Sequence, residues 1–85
     1  MHDFHAADRI LKRALEYAAG NNLKKITKIV VELGEIEEHG AIIAPANLKF
    51  NLRLLSAETI ARGAKILILK IKGDSYGLKE IQGVK

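Results

Sequence analysis

The chain is 85 residues long, carries 14 basic against 10 acidic side chains for a formal charge of +4, and has no cysteine. That length allows one small domain, and the missing cysteines exclude disulfides, thiolate nucleophiles and cysteine-ligated zinc or iron–sulfur sites. A composition of 48% hydrophobic and 28% charged residues is that of a folded domain, and no apolar run approaches the roughly 20 residues of a membrane span.

The first residues lack a basic segment followed by an apolar stretch, so no secretory signal is expected and the cytoplasm is the default address. Among the basic residues only Lys24, Lys25 and Lys28 gather. The aromatics Phe4, Tyr17, Phe50 and Tyr76 are not interleaved with a basic run. Nucleic-acid binding would rest on net charge alone, and it is not expected.

Residues 3–20 are predicted to be a helix, because Phe4, Ala7, Leu11, Ala14, Leu15 and Ala18 recur at three- and four-residue spacing. Asp3 is the N-cap candidate, and Gly20-Asn21-Asn22 is the stop. Residues 26–33 alternate and are rich in β-branched side chains, so they read as a strand ended by Gly34. An acidic loop, GEIEEHGAIIA, should follow. Pro45 opens a second helix to about Ser56, with Leu48, Asn51, Leu52, Leu55 and Thr59 at helical spacing and Phe50 and Leu54 flanking the stripe. Residues 65–72 give a second strand, Gly73-Asp74-Ser75 a turn, and YGLKEIQG a short third strand paired back as a hairpin. The order implies a small α/β (α+β) domain, two helices on a three-stranded sheet. Ile66 to Leu69 are apolar on both faces, so the second face of the sheet is either covered or an interface, and a homodimer is one expectation.

Chemistry has few places to reside. Glu37 and Glu38 are neighbours and fit a solvated loop, no phosphate loop or catalytic triad is visible, and no enzyme is expected. His2, His5 and His39 are the histidines, without the spacing of a tetrahedral zinc site. The opening MHDFHAAD offers another arrangement. An α-amine at Met1, the amide nitrogen of His2 and its imidazole form two fused, coplanar chelate rings suited to square-planar Ni(II) or Cu(II). The plainer reading of the same residues is a surface histidine ahead of a capped helix. His5 is either a spare ligand or a first-turn helix residue.

Met1-His2-Asp3 at a helix start, LKKITKIVVELGEI, the proline-started ANLKFNLRLL, ETIARGAKILI and the tail YGLKEIQG together resemble the HypA family of nickel chaperones, which help mature [NiFe] hydrogenases and, in some bacteria, urease. The family's Gly-Thr-[Ile/Val]-Ala-Glu-Gly-Ala stretch corresponds to Glu58-Thr59-Ile60-Ala61-Arg62-Gly63-Ala64. The resemblance implies Ni(II) as transient cargo, bound by the Met1 amine, the backbone amides of His2 and Asp3, and the His2 imidazole. It implies a HypB-like GTPase and the hydrogenase large subunit as partners. There are departures. The family's zinc domain normally interrupts the chain between the last two strands, where Lys72-Gly73-Asp74-Ser75 runs directly here, so residues 1–85 resemble the nickel-binding domain alone and no zinc is expected. Residue 3 is Asp where the family has Glu: a mild change if the backbone nitrogen binds the metal, a weakening one if the carboxylate does. His5 and Asp8 replace a small or polar residue and Gln. The alternative is a repurposed interaction module, dimeric through the spare sheet face, without metal delivery.

Overall fold

The structure, a computed structural model, describes residues 5–38 and 41–85. The first helix, α1, spans His5–Gly20 and buries Ala6, Ala7, Ile10, Leu11, Ala14 and Ala18. Four of these are alanines, whose small side chains let the helix lie close on its neighbours. Asp3 and Phe4, expected as its cap and first stripe residue, lie outside the described residues. The helix ends in a Schellman arrangement: the Leu23 N–H donates to the Ala18 carbonyl at 2.9 Å, and Asn22 takes φ 58°. Gly20 itself does not have a positive φ, so the stop resides in Asn22.

Strand β1, Lys25–Leu33, is the centre of the sheet. Ile26, Ile29, Val31 and Leu33 are fully buried, and Val30 is nearly so. The expected acidic loop instead holds a short antiparallel ladder, β2 Glu37–Glu38 with β3 Ala41–Ile42. Two-residue strands leave too little alternation to be visible in sequence. His39 and Gly40, at its tip, are outside the described residues.

Helix α2, Pro45–Ser56, begins with the proline in its first turn after an extended Ala44. Leu48, Asn51, Leu52 and Ser56 are buried, while Phe50 and Leu54 are exposed. Thr59 lies beyond the helix, where its hydroxyl donates to the Ser56 carbonyl at 2.9 Å and accepts from the Ala61 N–H at 3.0 Å. The two remaining strands are β4, Lys65–Lys70, and β5, Tyr76–Val84.

The sheet order is β4-β1-β5. β4 runs parallel to β1, with Val30 beside Leu67 and Leu33 beside Lys70. Parallel neighbours need a long crossover, and α2 supplies it. β5 is antiparallel to β1 on the other side, with two register shifts. The expected hairpin between the last two strands is therefore corrected: residues 71–75 cross over the end of β1 and deliver β5 to the far edge. The Gly34 N–H donates to the Ser75 carbonyl and the Glu35 N–H to the Gly73 carbonyl, both at 2.8 Å. A Cβ at Gly34 would stand 2.5 Å from the Gly73 oxygen, so only glycine admits this crossing. The centre falls to β1 because Ile29, Val30 and Val31 are buried in succession, whereas β4 is exposed toward its end. β5 is also longer than the short strand expected.

Both helices cover one face, where Ile29, Val31, Leu33 and Ile66 join their buried side chains in a single core, with Ile68, Tyr76, Leu78 and Ile81 packed against it. The other face carries Val30, Leu67 and Leu69 among charged residues, including the Lys79–Glu32 pair at 3.6 Å.

Candidate functional site

The expected metal residues Met1, His2 and Asp3 lie outside the described residues, as does His39. His5 is the first residue of α1 and exposed. Asp8, in the same turn, is paired with Lys12 one turn on, at 3.0 Å. Among the described residues no group of three or more His, Asp or Glu side chains is placed to hold a metal ion.

The described residues do form a groove of about 560 Å³ between α1 and the start of β5. Arg9, Ile10, Arg13 and Tyr17 line it from the helix; Asp74, Ser75, Tyr76, Gly77 and Leu78 line it from the other side, with Ile36 beside them. The Arg13 guanidinium lies 5.7 Å from the centroid of the Tyr17 ring. Arg9 and Arg13, four apart, stand one helical turn from each other. Their spacing is a signal present in the sequence, but the opposite wall comes from β5, some 60 residues further on, and no local pattern joins the two. No helix among the described residues is long and apolar enough to cross a membrane.

A family model described as "HypA: Hydrogenase/urease nickel incorporation, metallochaperone, hypA" matches residues 1–76. The chain is 32% identical to the hydrogenase maturation factor HypA of Methanocella arvoryzae over 84% of its own length and 59% of that protein's. To the same factor from Pyrococcus abyssi it is 37% identical, over 96% of this chain and 62% of the relative. The chain thus spans about three fifths of the length of the curated relatives it matches. Its fold is that of the nickel metallochaperone HypA of Helicobacter pylori in solution, with a TM-score of 0.82 at 14% identity, covering 99% of this chain and 98% of that one.

Proposed function

Since this chain belongs to the HypA family of hydrogenase and urease nickel-incorporation metallochaperones, we propose that it binds Ni(II) through its first three residues and hands the ion on during [NiFe] hydrogenase maturation. The observation that carries this reading is the family match itself, which begins at residue 1 and so includes Met1, His2 and Asp3. The ligands are the Met1 α-amine, the amide nitrogens of His2 and Asp3, and the His2 imidazole. Four nitrogens in one plane are the donor set that favours square-planar Ni(II). Each must give up a proton to bind, so affinity falls as pH falls. The ion is cargo and undergoes no reaction here. The role is transport, with a HypB-like GTPase and the hydrogenase large subunit as partners in the cytoplasm.

On this reading residues 1–85 are one nickel-binding domain, and the direct connector from Lys72 to Ser75 stands where the family carries its zinc domain. The hydrogen bonds that hold this connector across Gly34 and Glu35 support a closed crossing at that point.

The test is calorimetry of Ni(II) binding. His2→Ala, and a chain extended by two residues ahead of Met1, should each lose more affinity than the roughly 10- to 100-fold that outer-shell changes cost a metal site. Both should keep the thermal transition of the native protein, because they alter residues ahead of α1. Binding as tight as the native chain's in either variant contradicts the terminal site.

A second reading, an interaction module that self-associates, draws on the open sheet face, where Leu69 is 42% exposed next to Leu67. Light scattering decides it. A dimer that Leu69→Lys dissociates supports it, and a monomer at every concentration removes it.

A further inference from the structure

The groove between α1 and β5 has no part in the nickel reading. Its composition is unusual for so small a chain: both tyrosines line it, Tyr17 and Tyr76, together with Arg9 and Arg13. Tyrosine and arginine are the residue types that dominate binding energy at protein interfaces. The two arginines have no carboxylate partner among the described residues, since the salt bridges found there join Lys12 to Asp8 and Lys79 to Glu32. Arginine's planar fork takes a carboxylate through two parallel hydrogen bonds. The Tyr17 ring sits beside the Arg13 guanidinium, which fixes one side of the groove. Ile10, Ile36 and Leu78 give the interior an apolar lining.

We propose that this groove is a docking site for an acidic segment of a partner protein, with one aromatic side chain seated between the tyrosines and carboxylates on Arg9 and Arg13. Charge complementarity selects this occupant. A second copy of the chain is disfavoured, because its formal charge is +4 and its own groove rim is basic. Among the described residues Asp74 is the one acidic residue lining the groove, and it opposes an acidic ligand. It sets the direction in which the segment lies, with its carboxylates toward α1. The groove starts one turn into α1, so on the nickel reading a docked partner binds close in the chain to the metal-bearing residues.

The test uses the metal-free protein, so that its outcome is independent of nickel binding. The probe is the blocked pentapeptide Glu-Glu-Phe-Glu-Glu, with Gln-Gln-Phe-Gln-Gln as the uncharged control, followed by amide NMR shifts. The expected shifts cluster at Arg13, Tyr17, Tyr76, Gly77 and Leu78, and affinity weakens as salt rises. The double variant Arg9→Ala with Arg13→Ala should lose at least tenfold in affinity while retaining the native spectrum elsewhere, since both side chains are exposed and alanine favours helix. Asp74→Asn should bind the acidic peptide more tightly. Equal binding of the uncharged control, shifts centred elsewhere, unchanged affinity in the double variant, or weaker binding in Asp74→Asn would each overturn the proposal.

Discussion

Two positions around the end of α1, Gly20 and Asn22, have opposite requirements. Gly20 is helical and exposed, with nothing within 4 Å of where a Cβ would stand. Its glycine therefore contributes only backbone freedom to the unfolded chain, and Gly20→Ala should stabilise by roughly 0.5–1 kcal/mol. Asn22 holds φ 58°. Asparagine tolerates that left-handed conformation because its short polar side chain can hydrogen-bond locally, which alanine's methyl cannot do, so Asn22→Ala should destabilise by about 1 kcal/mol. In a domain of this size each change moves the thermal midpoint by several degrees, in opposite directions, which calorimetric melting resolves. Stabilisation by both changes would contradict the placement of the left-handed residue at Asn22.

At the scale of elements, α2 joins the core through a narrow stripe. Leu52 is fully buried, whereas Leu54 is 51% exposed. Leu52→Ala should cost about 2–5 kcal/mol, a large share of what a domain this small has available. Leu54→Ala should cost less than about 0.5 kcal/mol. Denaturant titration of the two variants checks this, and comparable losses would mean that the helix is rotated about its axis. That stripe was legible in the sequence, because helical periodicity is local: Leu48, Asn51 and Leu52 fall where spacing puts them. β1 was legible for the same reason. The sheet order was not. Which edge of β1 receives β5 depends on the crossing at Gly34 and Gly73, between residues about 40 apart, and no local pattern encodes it. The β2–β3 ladder was hidden by its brevity, and Ile10 and Ala6 were missed on α1 because an alanine-rich face has a broad buried side. The candidate nickel site was legible only as chemistry, in the identity and order of Met1, His2 and Asp3. The groove was not legible, because half of its wall arrives from β5.

For the whole molecule, the groove lies along the flank of α1, the helix that the proposed nickel residues precede in the chain. The core fixes α1 against the sheet through alanines and Ile10. The groove on the flank of the same helix offers a partner a place to dock. The outer sheet face, with Leu67 and Leu69 among charges, is separate from the groove. The most direct test of a terminal nickel site is the visible spectrum of the untagged protein titrated with Ni(II), recorded together with its proton NMR spectrum. A planar four-nitrogen site makes Ni(II) low-spin, so a yellow absorption band saturating at one equivalent is expected, with sharp shifts confined to the start of α1. Weak, high-spin Ni(II) with paramagnetic broadening around His5 and Asp8, or no band at all, would contradict it.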